Sequence, residues 1–93
     1  MRKIERTGQF KRDYKRESKG QYSKVLDLAL IDLLELILVG KPLPAKYRDH
    51  PLSGDWSDHR DCHLKPDLLL IYRLPDAQTL QLVRLGSHSE LGL

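Results

Sequence analysis

Cysteine, long apolar runs and internal repeats are what this sequence has least of. Its single cysteine, Cys62, has no partner in the chain for a disulfide, as is typical of proteins in a reducing compartment. The longest apolar stretch, residues 25–39, is interrupted by Asp27, Asp32 and Glu35, which excludes a bilayer-spanning helix. The opening MRKIERTGQF lacks the apolar region of a signal peptide. We therefore expect a cytoplasmic protein with no membrane partner.

The composition indicates one small globular domain over residues 1–93, with 40% hydrophobic and 31% charged residues. Its net charge of +3 is unevenly distributed. Residues 1–24 carry nine Lys or Arg and three Asp or Glu, whereas residues 25–93 carry seven and ten. A basic N-terminal third favours a nucleic-acid backbone as partner, and the alternative is an ordinary solvated helix face.

Hydrophobic periodicity predicts an α+β fold in the order β-α-α-β-β-β. Two helices are expected, a basic one over residues 8–19 and a leucine-rich one over residues 22–39 that starts at Ser23 and stops at Gly40. Strands are expected over residues 2–7, 56–64, 68–74 and 79–85, with a loop over residues 41–55. The run LLLIY, residues 68–72, is apolar throughout and is predicted to be the central strand. We expect the two helices to pack on a twisted, mostly antiparallel sheet.

Three of the four histidines lie in the stretch RDHPLSGDWSDHRDCHLKPD, residues 48–67. A metal site is one interpretation, because His59, Cys62 and His63 have zinc-like spacing on a helix. The stretch reads as extended, however, and strand residues four apart are roughly 13 Å from each other. We therefore predict no metal and no cofactor. A plain polar surface is the second interpretation, and it is the one we favour for His59 alone.

An acid–base site is the third interpretation. His50, His63, Asp67 and His88 flank predicted strand ends and can converge at one end of the sheet. Histidines titrate near neutral pH, so a pair can supply the base and the acid that RNA cleavage by a ribose 2′-OH requires. Arg84 is the candidate cation for the transition-state phosphate.

The runs PLPAKYRDHPLSGDW, HRDCHLKPD, LLLIYRL and RLGSHSEL together resemble the YafQ-type toxins of the RelE superfamily, the mRNA interferases of bacterial type II toxin–antitoxin pairs. The resemblance implies a RelE-like fold and ribosome-dependent mRNA cleavage. It assigns His50, His63, Asp67 and His88 to the acid–base set and Arg84 to the scissile phosphate. It also implies a small, dimeric DNA-binding antitoxin as partner, with operator DNA bound only through that antitoxin. The basic first helix is expected to bind rRNA or an acidic antitoxin segment through five residues, Lys11, Arg12, Lys15, Arg16 and Lys19.

The C-terminal tail departs from this family pattern. The family tends to place an aromatic residue there, near the substrate base, whereas this tail reads HSELGL and offers only Leu91 and Leu93. Base stacking on an aromatic is typically worth about 1–3 kcal/mol, although an apolar side chain can still cover a base. The departure keeps open an alternative function, a non-catalytic RNA- or antitoxin-binding module on the same scaffold.

Overall fold

A five-stranded sheet organises the computed structural model, which describes residues 2–93. The strands are β1 (Lys3–Arg6), β2 (His50–Pro51), β3 (Arg60–Lys65), β4 (Leu68–Asp76) and β5 (Thr79–Gly86). The helices are α1 (Gly8–Glu17), α2 (Leu26–Leu38) and α3 (His88–Leu91), with 3₁₀ turns at Ala45–Tyr47 and Gly54–Trp56. The α+β class is confirmed, with the short β2 and the one-turn α3 added to the expected elements.

The strand order is β1-β5-β4-β3-β2, so the first and last strands of the chain are neighbours. They pair in parallel, with Ile4 opposite Leu80, and every other pairing is antiparallel. β4 lies at the centre, and its residues 68–71 are fully buried. This confirms LLLIY as the central strand.

The sheet has a core on each face. On one face, Leu26 and Leu33 of α2 and Phe10 of α1 pack against alternate residues of β3, β4 and β5. On the other face, Leu69 and Ile71 pack beneath Leu91 of α3, and we call this the second core. Side chains alternate between the two faces along a strand. The residues that share a face with Leu69 and Ile71 therefore point away from α1 and α2.

Side chains of α1 cover the edge of β5 beyond the end of β1. The Thr7 hydroxyl donates to the Val83 carbonyl (2.8 Å), and Arg16 Nη2 donates to the Leu85 carbonyl (2.8 Å). The Leu85 N–H donates to the buried carboxylate of Asp13 (3.0 Å). These bonds satisfy backbone groups that another strand would otherwise pair, so this edge is closed to further strands.

The second helix begins later than its sequence predicts, at Leu26 rather than at residue 22. Ser23 is not the N-cap; that position is Val25, which makes no side-chain capping bond. Turn-type bonds from Ser23 N–H to Gly20 O and from Val25 N–H to Tyr22 O precede the helix. Tyr22 packs against the core, which holds this segment in its non-helical path. The predicted stop is confirmed, because Gly40 has a φ of +75° that favours glycine.

Other boundaries also shift. β3 begins at Arg60 rather than at Trp56, because Trp56 ends a 3₁₀ turn and Asp58 has a φ of +68°. His59 therefore lies in a turn, not on a strand. α1 ends at Glu17, and β4 continues to Asp76.

Among residues 2–93, no helix has the length and apolar character needed to cross a bilayer.

Candidate active site

The candidate catalytic residues lie on the second-core face of the sheet. Strand register places His50 beside Asp61, Asp61 beside Ile71, and Ile71 beside Arg84. The next row contains His63, Leu69 and Gly86. Paired residues of antiparallel strands face the same side, so both rows point away from α1 and α2. Of the residues proposed from the sequence, the structure brings His63, Asp67 and His88 into contact.

His88 and Asp67 form the tightest contact of the site. His88 Nδ1 lies 2.6 Å from Asp67 Oδ1, and the His88 backbone N–H donates to the same oxygen (2.9 Å). These bonds, the backbone one first, lower the pKa of Asp67. With Nδ1–H donating to the carboxylate, Nε2 of His88 is left to exchange a proton with a substrate.

His63 stands beside this pair. Its ring centroid lies 5.3 Å from that of His88, with the ring planes at 65°. Both imidazoles are half-buried at one end of the sheet. They are close enough to reach the two reacting oxygens of one phosphodiester.

His50 approaches the same region from β2. Its Nδ1 lies 2.7 Å from the Arg48 carbonyl oxygen, so that nitrogen carries the proton and donates. Its Nε2 lies 3.5 Å from Asp61 Oδ2. The imidazole of His50 thus lies between the Arg48 carbonyl and the Asp61 carboxylate.

Asp61 is a further residue of the candidate site, and the sequence analysis did not propose it. Its side chain is 5% exposed, and Oδ1 is buried without a hydrogen-bond partner among the described atoms. Burial raises the pKa of Asp61, opposed by the charges of His50, His63 and His88. The carboxylate therefore lies within electrostatic reach of all three histidines. Strand alternation was the available signal, because Asp61 and His63 are two apart on β3.

Arg84 is bonded to α1 at the edge of β5. Its Nε and Nη2 donate to Asp13, at 2.7 and 3.3 Å, and its side chain is 21% exposed. Although burial opposes ionisation, the hydrogen bonds from Arg84 and the Leu85 N–H lower the pKa of Asp13. Asp13 was also missed from the sequence. The signal was an acidic residue three positions after Phe10, on the face of α1 that packs on the core.

The five basic residues assigned to the first helix have different surroundings. Arg16 is bonded to other groups of the chain, namely Asp13 (3.0 Å), Glu17 (3.0 Å), Glu90 of α3 (2.9 Å) and the Leu85 carbonyl. The other four are exposed and form no ion pair within residues 2–93: Lys11, Arg12, Lys15 and Lys19. They form the basic face available to a partner.

The C-terminal leucines take different positions. Leu91 is buried in the second core and cannot cover a base. Leu93 is 40% exposed, and its backbone N–H donates to the His88 carbonyl (2.9 Å). α3 itself begins with a capping box formed by Ser87 and Glu90, and this S-x-x-E pattern was the sequence signal for the missed helix.

Cys62 and His59 lie outside this cluster. Cys62 is fully buried, and burial raises the pKa of its thiol, so it is a packing residue. His59 contacts the edge of the Trp56 ring. Over the described part of the chain, no three His, Cys, Asp or Glu side chains are grouped so that they could hold a metal ion.

Comparison with known proteins identifies the family. A family model described as "Bacterial toxin of type II toxin-antitoxin system, YafQ" matches residues 2–92. The chain belongs to the YafQ toxin family. The mRNA interferase toxin YafQ of Escherichia coli K12 is 40% identical over 93 residues, or 98% of this chain and 96% of that protein. The YafQ resemblance seen in the sequence is thus confirmed.

Solved YafQ-type structures share the fold. The E. coli DinJ–YafQ complex matches with a TM-score of 0.78 at 37% identity, covering 98% of both chains. That YafQ was crystallised with the antitoxin DinJ, as a second E. coli toxin–antitoxin complex of the same pair also shows. A metal-bound toxin from Helicobacter pylori matches with a TM-score of 0.80 at 42% identity, covering 98% of this chain and 99% of that one.

Proposed function

We propose that this YafQ-family chain is an endoribonuclease that cleaves mRNA on the ribosome and thereby inhibits translation. The observation that carries the proposal is the contact of His63, Asp67 and His88 at one end of the sheet. The name of the E. coli relative, an mRNA interferase, supports the same activity.

His63 and His88 are suited to the two proton transfers of RNA cleavage. His63 takes the proton of a ribose 2′-OH, and the oxygen attacks the adjacent phosphorus. His88 Nε2 protonates the departing 5′-oxygen, leaving a 2′,3′-cyclic phosphate and a 5′-hydroxyl. Both Asp67 contacts go to His88, which makes Asp67 a positioning residue. Each proton transfer contributes about 10²–10⁴ in rate.

Arg84 is a cation available to the transition state, and His50 is a second candidate for this role. His50 lies between Asp61 and the Arg48 carbonyl, and in its protonated form it would present positive charge to the phosphate oxygens. Arg84 shares its row of the sheet, with Nη1 outside the bonds to Asp13. All steps use side chains of this chain.

A cognate antitoxin is the expected protein partner, because the E. coli relative was crystallised with one. We propose a small dimeric DNA-binding protein that holds this toxin inactive in the cytoplasm and carries all contact with operator DNA. The exposed residues of α1 are suited either to its acidic segment or to rRNA. Replacing Lys11 and Lys15 with Gln distinguishes the two partners. The double variant should bind the antitoxin more weakly if this face contacts the antitoxin, and should bind ribosomes more weakly if it contacts rRNA.

In vitro translation tests the activity. A reporter mRNA is translated with purified chain, and the cut sites are mapped with ribosomes present and omitted. His63→Ala and His88→Ala should each reduce cleavage about 10²–10⁴-fold. His59→Ala is the matched control, because His59 is a histidine in a nearby turn outside the cluster.

Two results would overturn the proposal. If the reporter mRNA stays intact with wild-type chain and translating ribosomes, the proposed nuclease activity is refuted. Full growth arrest by both histidine variants in a bacterium would favour the non-catalytic binding module instead. If the mRNA is also cut when ribosomes are omitted, the proposed cleavage chemistry stands and only its dependence on the ribosome is refuted.

A further inference from the structure

A cleft of about 380 Å³ opens beside the catalytic cluster, at the outer edge of β3. It lies between α2, the 3₁₀ turn at Ala45–Tyr47 and the end of β3, and His63 forms part of its wall. Its volume falls within the range of about 300–1,000 Å³ typical of small-ligand sites. His63 belongs to the cluster and is also a lining residue of the cleft, so the two spaces are neighbours at this end of β3.

The cleft is open because β2 is so short. β2 pairs with β3 only at Arg60 and Asp61. Beyond Asp61 the outer edge of β3 has no neighbouring strand within residues 2–93. This edge of β3 is therefore accessible to a ligand.

Three basic residues line the cleft: Lys46, Arg48 and Lys65. None of them forms an ion pair with a residue of the described chain, whereas Arg16, Arg60 and Arg84 are each bound to carboxylates. One acidic residue, Asp32, also lines the cleft, so the lining carries a net positive charge. Unpaired cations around a concave surface concentrate an anionic ligand there.

The backbone at Arg48 connects this cleft to the catalytic residues. Arg48 has φ 49° and ψ 40°, a left-handed conformation that is uncommon for a residue other than glycine. In this conformation its carbonyl accepts the His50 Nδ1–H bond while its side chain lines the cleft. Strained backbone of this kind persists at functional sites. Lys46 is held nearby, with its ammonium 5.1 Å from the Tyr47 ring centroid.

We propose that this cleft binds the ribose–phosphate backbone of the mRNA strand at the nucleotide next to the scissile linkage. Lys46, Arg48 and Lys65 contact the phosphate. The inference rests on the proposed nuclease function and adds a substrate subsite to it. An RNA strand is favoured over an acidic antitoxin segment because the cleft and the catalytic cluster share His63.

A charge-removing double variant tests the subsite. Lys46→Gln with Lys65→Gln removes two phosphate contacts. For a single strand, each such contact contributes about 0.7 to the slope of log affinity against log salt concentration. The KM for mRNA-programmed ribosomes should rise about 25-fold at roughly 0.1 M salt, with kcat retained, and the effect should shrink as salt increases. The control is Lys24→Gln with Lys41→Gln, which removes the same charge from two exposed lysines elsewhere.

Site-directed crosslinking identifies what occupies the cleft. Cys62 is fully buried with a raised thiol pKa, so a photoreactive label directed to thiols reacts at a new Lys46→Cys site. The labelled chain is bound to ribosomes carrying an mRNA with a 2′-deoxy nucleotide at the cut site. The expected product is a crosslink to mRNA within one or two nucleotides of that site.

Several results would overturn the subsite. They are a crosslink to rRNA alone, a crosslink that forms only with bound antitoxin, and a double variant whose KM equals that of its control. In each of these cases wild-type chain still cuts mRNA. Failure of the wild-type chain itself to cut would overturn the nuclease function, so the two failures are distinguishable.

Discussion

Replacing Asp13 with Ala should destabilise this protein more than any exposed acidic substitution. Asp13 is fully buried and accepts hydrogen bonds from Arg84, Arg16 and the Leu85 N–H. Removing the carboxylate leaves the Leu85 N–H buried and unpaired, which costs about 1–3 kcal/mol. The two guanidinium groups also lose a partner, but they are 21% and 41% exposed and can hydrate, which limits their share to about 1 kcal/mol.

The expected loss in the free energy of unfolding is thus about 2–4 kcal/mol, a large part of the roughly 5–15 kcal/mol typical of a small domain. For a chain of this size, each kcal/mol lowers Tm by about 4–8 °C. Asp13→Asn should lose less, because its amide oxygen still accepts the Leu85 N–H. Glu35→Ala is the control, since Glu35 is exposed on α2.

Thermal and urea unfolding followed by circular dichroism measure these differences, and their pH dependence gives a second test. The pKa of Asp13 is lowered on folding. Its stabilisation is therefore complete above the unfolded pKa of about 3.9 and is lost as pH falls through the lower folded value. The gap between wild type and Asp13→Ala should narrow in that acid range. An Asp13→Ala chain as stable as the Glu35→Ala control at pH 7 would refute the reasoning.

Three further changes address the catalytic face. Asp61→Asn should raise Tm at pH 7. Burial raises the pKa of Asp61, so its ionisation favours the unfolded state as pH rises above about 3.9. A Tm gain that persists unchanged at pH 3 would contradict this. Asp67→Asn should keep the fold while reducing cleavage about 10²-fold through misorientation of His88, and wild-type cleavage rates would disprove the positioning role. Leu93→Trp should lower the KM of mRNA cleavage about 5- to 100-fold by restoring base stacking, whereas an unchanged KM would show that the tail does not reach the base.

Much of the fold was predictable because its strongest signals are local. The apolar run of β4 and the leucine periodicity of α2 are set by burial, and both elements were found. The start of α2 was not, because the packing of Tyr22 against the core overrides a plausible serine cap. β2 was missed because two residues paired to β3 carry no periodicity.

The sequence proposed candidate residues for the site but did not predict the bonds among them. The four acid–base residues were proposed from residue type, spacing and family resemblance, and the structure brings His63, Asp67 and His88 together. Sequence spacing gave no means to pair Asp13 with Arg84, since the two residues are joined by tertiary packing alone. Likewise, His88 was expected to follow the last strand, but the helix α3 that it opens was not predicted.

The parallel pairing of β1 with β5 has a consequence for the biosynthesis of a protein that would act on ribosomes. The strand made first cannot find its neighbour until the strand made last has been synthesised. His88 follows that last strand, so it too is added only after β5 has been made. A chain that has not yet reached β5 and His88 thus lacks both a closed sheet and a complete set of imidazoles, so the nascent chain cannot attack the message from which it is being made.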